Sequence, residues 1–111
     1  MLYKKLLLTS IKNINGERSI IAIYHLLTGK KSIQTLQDAH SYQLTAIYGI
    51  LPRLEERFFR ITVATLKREM LIKQVATDSF IITNKGKKLL NDRKDTYLQF
   101  FNGLNYHKTD E

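Results

Sequence analysis

The sequence has no cysteine, only one proline and five glycines, and no apolar run of membrane-spanning length. Without cysteine, a disulfide scaffold, a zinc ribbon and a thiol nucleophile are all excluded. The longest apolar run, residues 20–27, is interrupted by His25, whereas a membrane-spanning helix needs about 18 apolar residues or more. The three leucines near the start are too few for the apolar region of a signal peptide. These features predict a cytoplasmic protein that does not enter the membrane.

Negative charge is also scarce. Eighteen Lys and Arg residues stand against ten Asp and Glu residues, which gives a formal net charge of +8. A surplus of this size on a small domain favours a polyanionic partner. The surplus is shared equally, because residues 1–55 carry seven basic and three acidic side chains and residues 56–111 carry eleven and seven. With no basic tail, the fold itself must gather the charge onto one face.

The length and the 43% hydrophobic content predict one domain over residues 1–106 and a flexible tail at 107–111. Apolar residues three and four apart predict helices over residues 2–14 and 17–28, and Gly29 suits a left-handed C-cap after the second. Ser32 suits the N-cap of a third, short helix that ends near His40. The predicted apolar face of that helix consists of Ile33, Leu36 and Ala39. Residues 41–51 fit neither period and predict a loop with one turn beginning near Thr45.

Residues 52–70 give the strongest helical pattern, and Pro52 suits its first turn. The predicted core face comprises Phe59, Val63, Leu66 and Met70. A second apolar edge comprises Leu54, Phe58 and Ile61. The remaining arc contains no acidic residue and comprises Arg53, Arg57, Arg60, Ala64, Lys67 and Arg68.

After this helix the apolar period changes from near 3.6 to near 2, which predicts a β-hairpin. Its strands are expected over residues 71–77 and 80–83, with a turn at Asp78 and Ser79. A further helix is expected to open at Asn84, and a last one carries Tyr97, Leu98, Phe101 and Leu104. The predicted fold is mainly α-helical with a small β-hairpin wing, which is the order of a winged helix-turn-helix.

Two stretches carry family resemblances. Residues 66–73 and 80–90 resemble the end of the recognition helix and the wing of the winged helix-turn-helix superfamily. Residues 16–32 and 34–40 resemble the N-terminal part of the YpbB-like helix-turn-helix proteins, a bacterial family typically encoded beside a RecQ-type DNA helicase. The second resemblance implies a role in DNA recombination or repair, with that helicase as a partner, and it assigns no functional residues. The chain resembles only the first domain of these longer proteins.

The basic arc of residues 52–70 is the main candidate site, since a helix in the major groove needs cations that reach phosphates on both sides. Small Ala64 would let that helix approach DNA closely. Two further groups are candidates for contacts to the DNA backbone. They are Lys85, Lys87 and Lys88 at the exit of the wing, and Lys30 and Lys31 before the third helix. The alternative for each group is a solvated surface.

The terminal helix offers a different function. Tyr97, Leu98, Phe101 and Leu104 either pack back on the first helix or form a homodimer seam or a face for a partner protein. The alternative to DNA binding is therefore a protein-interaction adaptor built on the same scaffold. No metal motif or catalytic triad can be assembled from the three histidines. The sequence therefore predicts neither an enzyme nor a bound cofactor.

Overall fold

A computed structural model describes residues 2–91, which share one hydrophobic core. In chain order its elements are α1 (Leu2–Ile14), α2 (Ile20–Thr28), α3 (Ile33–Ser41), a 3₁₀ turn (Thr45–Ile47), α4 (Glu56–Arg68), β1 (Ile72–Ala76), β2 (Ser79–Ile82) and α5 (Asn84–Leu90). The prediction of a mainly helical chain with one small antiparallel hairpin is confirmed. The predicted terminal helix and the tail at 107–111 lie outside the described residues.

The first helix supplies the centre of the core, because Leu7, Leu8 and Ile11 are almost completely buried. After α1 the chain turns through Gly16, whose φ of 80° is in the left-handed region that glycine adopts without strain. Helix α2 begins three residues later than predicted. The amide of Ile20, its first residue, donates to the carbonyl of Asp78 in the hairpin turn at 2.6 Å. The start of α2 is thereby joined to the hairpin.

The connections on the two sides of α3 differ greatly in length. Residues 29–32 join α2 to α3, whereas residues 42–55 join α3 to α4. The predicted turn near Thr45 is confirmed as a single 3₁₀ turn. This longer segment belongs to the core, because Leu44 is fully buried and the amide of Gly49 donates to the Leu26 carbonyl of α2 at 2.9 Å.

Two glycines fix the end of α2 against this longer connection. Gly29 is the predicted left-handed C-cap, with φ of 81°. A Cβ on Gly29 would lie 3.0 Å from the Cα of Gly49, closer than side chains normally approach. The hydroxyl of Tyr48 donates to the carbonyls of Gly29 and Lys30 at 3.0 and 2.8 Å. The turn that carries Lys30 is therefore held in place by the connection to α4.

The hairpin pairs Ile72 with Ile82 and has an irregularity between Gln74 and Ala76, at the position of Val75. Its turn lies one residue earlier than predicted, at residues 77 and 78.

The first turn of helix α5 packs directly against the hairpin. A Cβ on Gly86 would collide with the Leu71 carbonyl and would lie 2.7 Å from Cγ1 of Ile82. Glycine is needed here for this close approach rather than for a turn.

The predicted apolar face of α3 is wrong. Ile33 is 78% exposed and Leu36 is 44% exposed, and of the three predicted residues only Ala39 is buried. The buried side instead carries Asp38, which accepts a charged hydrogen bond from Nε of Arg18 at 3.1 Å. A buried polar side chain is normally hydrogen-bonded within the fold. The partner of Asp38 is Arg18, which lies 20 positions away in the sequence.

The predicted bounds of the fourth helix are also corrected. Pro52 lies in a turn before the helix, which begins at Glu56 because the preceding chain is tied down elsewhere. The hydroxyl of Tyr24 donates to the carbonyl of Leu54 at 2.8 Å. At the other end Met70 has φ of 64°, so it leaves the helical path and is 67% exposed instead of joining the core face.

Candidate nucleic-acid interface

The buried side of α4 sets which residues face outwards. Phe59 and Leu66 are fully buried, Val63 is nearly so, and the ring of Tyr24 packs at a tilt against Phe59 with centroids 5.4 Å apart. The predicted core face is confirmed for these three positions of α4. At about 100° per residue, the opposite side is the solvent face of α4. Its residues are Arg57, Ile61, Ala64 and Arg68, all exposed.

One flank of α4 lies against the hairpin. The guanidinium of Arg60 pairs with Asp78 of the hairpin turn at 3.2 Å and with Glu56 of its own helix at 3.5 Å. The hydrogen bond to Asp78 raises the pKa of Arg60. Lys67 donates to Oε1 of Gln74 on β1 at 2.7 Å. The predicted arc contains no acidic residue, but the fold places the carboxylates of Asp78 and Glu56 next to it. Arg60 and Lys67 therefore already have partners.

The other flank of α4 lies against α1. Nζ of Lys4 pairs with Glu69 at 3.1 Å, so the carboxylate at the end of α4 is neutralised from α1. Burial raises the pKa of Tyr3, whose hydroxyl lies beside the Thr62 side chain on the same flank. The solvent face of α4 is therefore bordered by two ordered walls.

Between these walls the cations are unpaired. Arg57 and Arg68 are exposed, and neither pairs with a carboxylate among residues 2–91. They lie 11 residues apart, which corresponds to about 16 Å along the helix axis. Ala64 lies between them and leaves the helix backbone accessible. Arg53 is exposed in the turn before α4 and extends the cationic surface beyond the helix start.

Two side chains of the predicted second apolar edge are exposed. Ile61, on the solvent face, is 52% exposed, and Phe58, which borders that face, is 65% exposed, so neither joins the core. The signal for Ile61 was present in the sequence, since two positions after Phe59 means about 200° around the helix from the centre of the buried side. Leu54, the third member, is half-buried.

The predicted wing lysines are exposed but not equivalent. Nζ of Lys85 donates to the Glu69 carbonyl at 2.9 Å, which satisfies a free carbonyl at the end of α4. Lys87 and Lys88 lie on the exposed side of α5 and bind no partner among residues 2–91. Lys85 is thus bound to the end of α4, whereas Lys87 and Lys88 are exposed side chains of α5.

Lys30 and Lys31 are exposed in the turn between α2 and α3. His25, a half-buried residue of α2, is influenced by Lys30. Burial lowers the pKa of His25, the charge of Lys30 lowers it further, and the charge of Glu56 opposes both.

A shallow depression of about 710 Å³ separates the end of α4 from β1. Its lining includes two apolar side chains, Met70 and Ile72, and two lysines, Lys67 and Lys73. It adjoins the cationic face on the hairpin side.

Two findings on the described residues concern metal binding and membrane insertion. Residues 2–91 contain no group of three or more His, Asp or Glu side chains placed to hold a metal ion. None of the helices in that range is long and apolar enough to cross a membrane.

The chain is similar to Protein YpbB from Bacillus subtilis (strain 168). The two are 29% identical over 86 residues, which cover 77% of this chain and 24% of YpbB. The chain therefore spans about a quarter of the length of this curated relative. No protein-family model matches the chain, and no solved structure matches it significantly. The similarity supports the predicted YpbB-like resemblance.

Proposed function

We propose that this chain is a YpbB-like, DNA-binding winged helix-turn-helix domain that contacts DNA through the solvent face of α4. The observation that carries the proposal is the pair of exposed arginines, Arg57 and Arg68, that have no carboxylate partner among residues 2–91. Unpaired cations on one ordered face are the electrostatic footprint of a polyanion site.

The electrostatic argument is stronger for the solvent face than for the whole chain. Arg60 and Lys4 are neutralised by Asp78 and Glu69, so they contribute little to a phosphate site. Arg53 and Arg57 lie at the start of α4 and Arg68 lies at its end, all exposed and none paired with a carboxylate among residues 2–91. A phosphate backbone that follows the helix would meet these cations at both ends of α4.

The arrangement of elements supports a winged-helix geometry. Helix α4 leads directly into the β1–β2 hairpin, and the bond between Arg60 and Asp78 holds the hairpin tip beside the helix. The long connection between α3 and α4, residues 42–55, packs into the core through the buried side chains of Leu44 and Ile47. Helix and hairpin could then lie together along one groove.

The biological role that we propose is non-enzymatic: an accessory to DNA recombination or repair that works beside a RecQ-type helicase. This part rests on the similarity to YpbB, of which the chain covers one quarter.

Fluorescence anisotropy with duplex, forked and single-stranded oligonucleotides tests DNA binding. If the site neutralises five or more phosphates, affinity should fall more than about tenfold between roughly 50 and 200 mM salt. Absence of binding, or an affinity that does not change with salt, would contradict the proposal.

A second candidate function is a protein-interaction adaptor, and the exposed face of α3 favours it. Ile33 and Leu36 border a depression of about 550 Å³ together with His40. Exposed apolar side chains beside a depression are typical of protein-binding surfaces. An Ile33→Asp/Leu36→Asp double variant should lose capture of a purified RecQ-type helicase and keep DNA binding. The control is Asn15→Asp/Gln43→Asp, which adds the same charge at two exposed positions outside the depression. Retained capture would exclude this surface, and loss of DNA binding instead would make α3 a DNA contact.

A further inference from the structure

An exposed aromatic ring stands beside Arg57 at the start of α4. Phe58 follows Arg57 directly and is 65% exposed, although Phe59 next to it is fully buried. A single exposed apolar side chain is common on protein surfaces, whereas an apolar strip beside cationic side chains is typical of a ligand surface. Ile61, one turn further along, is 52% exposed and extends the apolar strip.

The charges around Phe58 select the kind of ligand. Glu56 is bound to Arg60 and Glu69 is bound to Lys4. Glu55, the N-cap residue, is exposed, and two exposed arginines, Arg53 and Arg57, stand close to it in sequence. The surface therefore favours an anionic ligand. It disfavours a second copy of this chain in a two-fold arrangement, because the same arginines would then meet each other.

An anionic ligand that also offers flat apolar surfaces is a nucleic acid with unpaired bases. In a duplex the faces of the bases are stacked on one another, whereas a single strand exposes them to aromatic side chains. Arg57 and Arg68, about 16 Å apart along the axis, are placed to contact phosphates on a strand that follows α4.

We infer that the solvent face of α4 binds single-stranded nucleic acid, with Phe58 as the platform on which one unpaired base stacks. This inference rests on the proposed function and adds to it a preference for unpaired bases. Arg57 and Arg68 supply the salt-dependent part of the affinity, and Phe58 supplies the selectivity for a single strand over a duplex of the same sequence.

The test compares a fluorescein-labelled 20-nucleotide single strand with its duplex at one fixed salt concentration. Phe58→Ala should weaken single-strand binding by on the order of tenfold, as loss of one stacked base does, and should change duplex binding less than about twofold. Phe58→Leu keeps apolar area but not the aromatic face, so it should behave like Phe58→Ala, whereas Phe58→Trp should keep single-strand affinity. Ile33→Ala, which truncates an exposed apolar side chain on α3 and not on α4, is the matched control, and it should leave the ratio of the two affinities unchanged.

Far-UV circular dichroism and urea melts on the same samples check folding, which substitution of an exposed side chain should preserve. Three results would overturn the stacking inference. They are equal losses of single-strand and duplex affinity in Phe58→Ala, no loss of either affinity, and wild-type single-strand affinity in Phe58→Leu. Salt-dependent binding through Arg57 and Arg68 would then still support the proposed function. Failure of the wild-type chain to bind either oligonucleotide would remove both.

Discussion

Helices α3 and α4 differ in the chemistry that they present to solvent and to the core. The outer face of α4 carries Ile61 with Arg57 and Arg68, which have no carboxylate partner among residues 2–91, whereas the outer face of α3 carries Ile33 and Leu36. The inner face of α4 is apolar, whereas that of α3 includes the carboxylate of Asp38. Surface chemistry on a helix therefore does not follow from its core chemistry.

The largest expected effect is a loss of stability when the buried face of α4 is truncated. Phe59→Ala in α4 should lower the free energy of unfolding by about 3–5 kcal/mol, because it removes a fully buried ring and leaves a cavity. Ile33→Ala in α3 and Arg57→Ala in α4 should each change it by no more than about 0.5 kcal/mol, since both side chains are exposed. Urea melts of the three variants measure these differences. A cost for Ile33→Ala that approaches that of Phe59→Ala would mean that α3 buries its apolar side after all.

The next effect compares the buried carboxylate of Asp38 in α3 with the exposed carboxylate of Glu56 in α4. Asp38→Ala leaves Arg18 without its partner and removes a buried acceptor that also receives a hydrogen bond from Gln34. It should cost about 1–3 kcal/mol. Glu56→Ala breaks an exposed pair with Arg60 and should cost less than about 1 kcal/mol. If urea melts gave the same loss of unfolding free energy for both variants, burial would not strengthen the interactions of Asp38.

These two helices also show how far sequence patterns reach. The inner face of α4 was predictable because large apolar residues, Phe59 and Leu66, recur at helical spacing in a long segment. Helix α3 offered only three apolar residues, and its orientation depends on the bond between Arg18 and Asp38 across 20 positions. No periodicity argument contains such a partner.

The candidate site was predictable to a similar extent. The sequence identified the exposed arginines of α4, but it could not show that Asp78 comes from the hairpin turn to neutralise Arg60. Nor could it show that Lys85 binds the end of α4. Both depend on how the hairpin folds back along α4, which is a tertiary contact rather than a local pattern.

The ends of the two helices are alike, because each C-cap is followed by a non-glycine residue with positive φ. Gln43 after α3 has φ of 58° and Met70 after α4 has φ of 64°, a region that strains any residue with a Cβ. Met70→Gly should therefore raise the free energy of unfolding by about 0.5–1 kcal/mol, the relieved strain less the greater freedom of glycine in the unfolded chain. Met70→Ala keeps the strain and serves as the control. A destabilised Met70→Gly variant in urea melts would contradict this account.

The smallest effect is expected at His25, between the turn before α3 and the start of α4. Its pKa in the folded chain lies below its ordinary value, mainly because of burial and then because of Lys30. The unfolded chain therefore binds the proton more tightly, and stability should fall as pH decreases through the ordinary pKa of histidine. His25→Gln should remove this part of the pH dependence in urea melts at several pH values. Glu56→Gln should lower the pKa of His25 further in an NMR titration, and an unchanged pKa would place Glu56 too far away to act.

The most direct test of the central claim is the slope of log affinity against log salt for DNA. Arg57→Ala/Arg68→Ala removes two unpaired cations, whereas Lys4→Ala/Arg60→Ala removes the same net charge from two paired ones. With each lost phosphate contact worth about 0.7–0.9 of slope, the first variant should reduce the slope by about 1.4–1.8, and the second should leave it nearly unchanged. Equal slopes for the two variants, or a wild-type slope retained by Arg57→Ala/Arg68→Ala, would contradict the assignment of DNA binding to the solvent face of α4.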